Sequence, residues 1–281
     1  MLVSTGLYST VQYSSYAGVH RSGPLWSVQR RPGSKYRLWP EDIRKPLHYQ
    51  FSLSYSDTDQ IIATAEATKT FVSEGVRRVE VRDGDLRGTL FLPPSPGPAI
   101  LTIYGGVYNG VIPEDRAALL ASYGFVTLAV AFYGVDDLPP VYTSFELSYF
   151  ERAVDFLLSH QHVINGTKVG MFGSSIGGSL VLAMMSCFGD KVGPCVVTGS
   201  QFIFSPGPCY YRGDIIVEPT QWNLEKDWDN PFEFRQSMED VLRNEKQLVQ
   251  FHKSSAPLLL LSGLDDGAAK GVLLSTRVVF F

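Results

Sequence analysis

Lys168–Ser186 reads KVGMFGSSIGGSLVLAMMS. An apolar run suited to a strand leads into Gly173-Ser174-Ser175-Ile176-Gly177, and an apolar run suited to a helix follows. This is a G-x-S-x-G pattern in a strand–turn–helix setting, the context in which such a serine is raised above a sheet. A serine hydroxyl is a weak nucleophile at neutral pH. It needs a base to take its proton and donors to hold the oxyanion that forms. A sharp turn gives Ser175 access, and glycine at 173 and 177 leaves the space that turn requires. The following helix aims its positive end at the reaction centre. The Ile176 N–H is the expected first oxyanion donor. The bare pentapeptide also arises by chance, since glycine and serine are common; its flanks are what make Ser175 a candidate nucleophile.

Two further stretches extend the reading. YGGVYNG (Tyr104–Gly110) follows an apolar strand, AILTIY, where a second oxyanion donor is expected. Its glycines 105, 106 and 110 let backbone N–H groups approach a ligand. Gly106 is the candidate donor, and an ordinary glycine-rich turn explains the same residues. PLLLLSGLDDG (Pro257–Gly267) is another apolar strand ending in paired acids. Loops at the carboxyl ends of parallel strands face ligands. Asp266, ahead of Asp265, is the candidate relay acid, with a solvated acidic turn as the alternative.

The base is the difficulty. The chain order for this arrangement is serine, acid, histidine. The five histidines are His20, His48, His160, His162 and His252, and none follows Asp266. His160 and His162 precede the strand KVGMF, at the wrong end of the sheet. His252 precedes PLLLLSG, and a strand of that length spans roughly 17–20 Å. These three are expected to be structural or surface residues.

The rest of the chain supplies the architecture. After Pro98, strand-like and helix-like runs alternate: AILTIY, EDRAALLASYG, FVTLAVAFY, SFELSYFERAVDFLLSH, KVGMF, GGSLVLAMMSCF, CVVTGS and PLLLLSG. Alternation of this kind predicts a parallel sheet covered by helices on both faces. Gly124 is the expected stop of the first helix and Ser144 the expected cap of the second. The first ~95 residues instead carry short alternating runs and the hairpin RRVEVRDGDLRGTLFLPP, with Asp83-Gly84 as its turn, which suggests a β-sandwich. PPSPGP (Pro93–Pro98) reads as a linker. The expected domains are therefore 1–95, a β-sandwich, and 96–281, an α/β catalytic domain.

Composition bounds the function. The chain has 281 residues, 44% hydrophobic and 19% charged, with a net charge of −4. A packed core is expected and disorder is not. Without basic runs, nucleic-acid binding has no electrostatic support. Cys187, Cys195 and Cys209 match no metal or disulfide spacing, which suggests a reducing compartment and no metal. No signal peptide or membrane-spanning run is expected.

Taken together, GPLWSVQ, GVRRVEVRDGDLRGTLFLPPSPGP, EDRAALLASYGFVTLAVAFYGVDDLP, LSYFERAVDFLLSH, VGMFGSSIGG and LLLLSGLDDG resemble the acyl-CoA thioesterase and bile acid-CoA:amino acid N-acyltransferase family. They run from about Gly23 to Gly267, in family order. The resemblance implies an immunoglobulin-like β-sandwich followed by an α/β-hydrolase domain. It implies a fatty acyl-CoA substrate, no separate cofactor because coenzyme A is part of that substrate, and a covalent acyl-enzyme on Ser175 with Asp266 as relay acid. Serine at this position points to hydrolysis, with glycine or taurine conjugation as the alternative. The family's histidine lies roughly thirty residues beyond its acid. Here only GAAKGVLLSTRVVFF follows Asp266, and it does not resemble the family. The expectation is a C-terminally truncated member without its last strands and base, which as written would be a non-catalytic form. Arg116 opens the helix after the glycine-rich loop; it would suit a coenzyme A phosphate or be an ordinary surface arginine. A monomer in the cytoplasm is the default. Peroxisomal members end in a targeting tripeptide, which VFF (279–281) is not.

Overall fold

A computed structural model of the chain describes residues 42–55, 58, 60–105, 112–204, 207–220 and 244–262. The chain divides into two compact units, Met1–Phe71 and Val72–Phe281. In the first, β1 (Leu47–Ser54) and β2 (Ile61–Lys69) form an antiparallel ribbon. An antiparallel ribbon is the kind of element a β-sandwich is built from.

The second unit is built on a seven-stranded sheet. Its strands are β3 (Arg77–Asp83), β4 (Leu86–Leu92), β5 (Ala99–Tyr104), β6 (Val126–Ala131), β8 (Val169–Ser174), β9 (Val192–Thr198) and β12 (Leu258–Leu261). Their spatial order is β12-β9-β8-β5-β6-β4-β3. The five strands from β12 to β6 are parallel, and β4 and β3 are antiparallel additions at one side. Every residue of β6 is buried, as a strand covered on both faces requires. This is the α/β-hydrolase class of architecture expected from the sequence.

The hairpin β3–β4 corrects the expected domain boundary. It pairs with β6 in the central sheet, Arg87 opposite Ala131 through Phe91 opposite Thr127. The division falls between Phe71 and Val72, not near residue 95. Leu90, Phe91 and Leu92 are consecutive buried residues, so β4 is covered on both faces and cannot edge a half-exposed sandwich sheet. Residues 93–98 are a packed connection, not a free linker: Gly97 N–H donates to His162 O at 3.1 Å and Gly97 O accepts from Ile164 N–H at 3.1 Å. The turn also shifts by one residue. Asp83 pairs with Leu86, leaving Gly84-Asp85 as the loop. Only Gly84 has positive φ, +56°, which excludes a type I′ turn and fits type II′.

Among the described residues three helices flank the sheet: α1 (Asp115–Ser122), α2 (Leu147–Ser159) and α3 (Ile176–Phe188). Gly124, at φ +93°, ends the turn after α1 as expected. The cap of α2 is Glu146, not Ser144; its carboxylate accepts from the Ser148 N–H at 3.0 Å. Phe145 is buried, and β7 (Phe145–Glu146) pairs with β10 (Cys209–Tyr211), itself joined to β11 (Asp214–Val217). That pairing holds the chain extended up to residue 146. Glu151 ties this small sheet to α2. Burial pulls its carboxyl upward, but bonds from Lys191 Nζ (2.9 Å), Tyr211 Oη (3.1 Å) and Arg212 (3.3 Å) outweigh it and leave it below the usual carboxylate range.

Connections out of the sheet place the functional edge. From β5 the chain crosses through α1 to β6 on one side; from β8 it crosses through α3 to β9 on the other. The two crossovers therefore leave the sheet in opposite directions, which makes the carboxyl ends of β5 and β8 a topological switch point. In open α/β sheets such a switch point is where ligands bind.

Candidate active site

Ser175 stands at that switch point. It is the single residue between β8 and α3, and it is exposed. Its backbone sits at φ 56°, ψ −132°, a region few non-glycine residues adopt. Such a conformation costs about 1–3 kcal/mol and persists only where neighbours over-determine it. Here they do. The Ser175 N–H donates to Thr198 O on β9 at 3.1 Å, and the preceding Ser174 O accepts from the Gly105 N–H at 3.1 Å. Ser175 O then accepts from the Gly178 N–H at 2.9 Å, closing the first turn of α3. The side chain caps nothing in that helix.

Glycines make the turn possible by contact as much as by φ. A Cβ on Gly173 would lie 2.6 Å from both Gly177 O and Gly178 Cα. One on Gly177 would collide with Ile103 O of β5, and one on Gly178 would come within 2.6 Å of Ser200 Cβ. So α3 rests on β8 and β5 backbone to backbone. The sequence reading anticipated Gly173 and Gly177 and missed Gly178, whose partner Ser200 lies in the segment after β9. Ser179, nearly fully buried, fastens that segment through Oγ to Gln201 O at 2.7 Å.

Ile176 is the first residue of α3, so its N–H has no acceptor within the helix. Gly105 lies directly against it; a Cβ there would be 2.6 Å from Ile176 N. Gly105 is therefore the glycine of the loop that the geometry brings to the elbow. Gly106, named from the sequence, lies outside the described residues, as do Asp265 and Asp266. The strand that leads to the acids is described. Leu261 at the end of β12 pairs with Thr198, which pairs with Ser174, so β12 ends at the same edge as the elbow, two strand spacings or about 10 Å away.

The described histidines lie elsewhere. His162 O receives the Gly97 N–H where the chain enters β5, at the amino edge, and its Nε2 meets Pro93 O at 2.8 Å. His160 ends α2; burial, then the charges of His162 and Arg77, push its pKa down. His252 lies in a 3-10 turn, Phe251–Lys253, and nearby Ser254 packs against Gly189 beyond the far end of α3. That helix has 13 residues, a length of about 20 Å, which separates His252 from Ser175. His48 is in the first unit, against Thr68. Among the described residues no group of three His, Cys, Asp or Glu side chains forms a metal-ligating cluster. No described helix is long and apolar enough to cross a membrane.

Two further features belong to the second unit, one beside the elbow and one at the β6 side of the sheet. Arg116, on the first turn of α1, donates from Nε to Tyr104 Oη at 2.6 Å; Tyr104 pairs in register with Ser174. Near the end of β6 a cavity of ≈ 370 Å³ is lined by Phe132, Phe145, Tyr149 and Phe150 together with Asp85 and Asp137. The two acids are paired with Arg152 and Arg87, so the rings give the cavity its apolar character.

Comparison with known proteins places this geometry. Residues 12–83 match the family model described as Acyl-CoA thioester hydrolase/BAAT N-terminal region, and residues 145–279 the one described as BAAT / Acyl-CoA thioester hydrolase C terminal. Acyl-coenzyme A thioesterase 2, mitochondrial, of Rattus norvegicus is 34% identical over 261 residues, covering 90% of this chain and 56% of the relative. Acyl-coenzyme A thioesterase 6 of Homo sapiens is 32% identical over 274 residues, covering 91% of this chain and 62% of the relative. The chain thus spans 56% to 62% of the length of these two relatives. Among solved structures, the alpha/beta hydrolase GrgF from Penicillium sp. sh18 is similar over 71% of this chain and 84% of its own, at 18% identity and a TM-score of 0.48. With the N-terminal and C-terminal family models matched in order along it, this chain belongs to the acyl-CoA thioester hydrolase/BAAT family.

Proposed function

We propose that the chain carries acyl transfer from fatty acyl-CoA through an acyl-serine on Ser175, with water as acceptor. The observation that carries this reading is the strained, exposed Ser175 held between two strands at the N-terminus of α3. Family membership supplies the substrate class. In the proposed first step Ser175 Oγ bonds to the thioester carbonyl carbon, the C–S bond breaks, and coenzyme A leaves as a thiol with the serine proton. In the second, water adds to the acyl-serine, releases the fatty acid and restores the hydroxyl. The Ile176 N–H and the Gly106 N–H are assigned to the oxyanion, where preorganised donors contribute most. Asp266 is assigned as the acid that orients the base. In the serine–acid–histidine order the base follows the acid, and no histidine follows Asp266 in these 281 residues; none of the five is assigned to that role.

Thiol release from a long-chain acyl-CoA, read together with the mass of the Ser175 peptide, tests the proposal. Release that disappears in Ser175→Ala, with an acyl adduct on Ser175 in the wild type, is the expected result. Release that persists in Ser175→Ala sinks the assignment. The same reaction with glycine or taurine present separates hydrolysis from conjugation, because N-acyl products would make the amine the acceptor.

A further inference from the structure

Arg116 is placed and held in a way that asks for an anion. It is exposed on the first turn of α1, at the carboxyl edge of the sheet. Cations are disfavoured near a helix N-terminus, where the backbone dipole is positive. Arg44, Arg78, Arg82, Arg87, Arg152 and Arg212 each meet a carboxylate within 3.3 Å. Arg116, like Arg77, meets none among the described residues. It is nevertheless well restrained. Its Nε donates to Tyr104 Oη, and its guanidinium carbon lies 5.5 Å from the Tyr104 ring centre and 4.9 Å from that of Phe172. Aromatic faces hold a guanidinium without consuming its N–H groups. With Nε engaged, the two terminal nitrogens keep their donors, and these have the parallel geometry that matches two phosphate oxygens.

The location fits the substrate. Phe172 and Ser174 lie on one face of β8, and Tyr104 is the register partner of Ser174. The residues that grip Arg116 are therefore the last turns of the two strands that hold Ser175. α1 covers the face opposite α3: Thr127, which bonds Ala117 O of α1, alternates with Leu128 and Val130, and Val130 pairs with Ile103, beneath Gly177. A thioester with its carbonyl at Ser175 and its charged tail directed to the α1 side would bring that tail toward Arg116.

We propose that Arg116 binds a phosphate of the coenzyme A moiety, which rests on the acyl-CoA reading of Ser175. The test is calorimetric binding of coenzyme A and of pantetheine, which lacks its phosphates, to the full chain and to Arg116→Gln and Arg116→Lys. Loss of a charge-assisted pair is expected to weaken coenzyme A about tenfold or more in Arg116→Gln. Pantetheine binding should stay unchanged, and Arg116→Lys should recover part of the loss. Unchanged pantetheine binding shows that the variants remain folded. Equal coenzyme A affinity in wild type and Arg116→Gln, or wild-type coenzyme A binding no tighter than pantetheine, overturns the assignment. Acylation of Ser175 by an acyl-pantetheine thioester separates the two ideas. If Ser175 is acylated while Arg116→Gln leaves coenzyme A binding intact, only the phosphate assignment fails. If neither thioester acylates Ser175, the proposed reaction fails with it.

Discussion

The two flanks of the seven-stranded sheet are anchored differently. On the β4 side, Glu114 at the start of α1 accepts from Arg78 at 2.6 and 2.7 Å and from Thr89 Oγ at 2.6 Å, joining β3, β4 and the helix in one buried knot. Arg87–Asp137, Arg82–Asp136 and Arg152–Asp85 add further ties. On the other side, β12 contributes four residues paired to β9; Leu259 and Leu261 are 48% and 47% exposed, and no ion pair among the described residues touches the strand. Ser175 hangs from the interior of the sheet, and the paired acids follow its lightly held flank. Ser175 is thus fixed by the scaffold, and the strand that leads to Asp265 and Asp266 is held chiefly by backbone pairing.

The largest way to break this contrast is Glu114→Gln. It strips the charge from a carboxylate that is only 9% exposed and leaves Arg78 without its main partner. A loss of about 2 kcal/mol in chemical denaturation is expected, since severing a buried pair leaves a charge uncompensated. A change within about 0.5 kcal/mol would show that the knot does not anchor the flank. Hydrogen exchange sharpens the contrast next. Amides of β12 should exchange about tenfold or more faster than those of β4 and β8, because few buried contacts hold them; equal protection would erase the difference between flanks. The smallest effect is pH-dependent. The hydrogen bond from Arg87, helped by a backbone bond, holds the Asp137 carboxyl below its ordinary range. A lowered folded pKa means the tie contributes above the ordinary aspartate range, near 3.9, and is lost as pH falls through the lowered value. Because Asp137 is exposed, the effect should be slight. The protection factors of amides near Arg87, exchange rates corrected for their intrinsic pH dependence, should fall on acidification in the wild type and stay level in Asp137→Asn.

The parts of the fold visible in the sequence are those governed by local pattern. β5, β6 and β8 are predominantly apolar runs, and the glycines around Ser175 mark a turn that sterics demand. What stayed hidden depends on distant partners. β4 was grouped with alternating strands, although Leu90-Phe91-Leu92 already signals burial on both faces. β7 exists only because β10 arrives to pair with it, so Ser144 looked like a cap and Glu146 did not. Gly105 reads as a turn residue and Gly178 as part of a helix run until Ile176 and Ser200 are seen against them. Because His162 precedes β8 and His252 precedes β12, both belong at the amino edge of the sheet, and the structure has them away from the elbow. The acids and Gly106 lie outside the described residues, so their roles rest on sequence.

The contact of α3 with β8 and β5 has a consequence for the genetics of this chain. Side-chain cores accept compensating changes: one residue grows, another shrinks, and volume is restored. Where Gly173 and Gly177 sit, the opposing atoms are carbonyl oxygens and α-carbons, which no neighbouring codon can trim. A selection for intragenic suppressors should therefore rescue an enlarged core leucine and return only true revertants for Gly177→Ala.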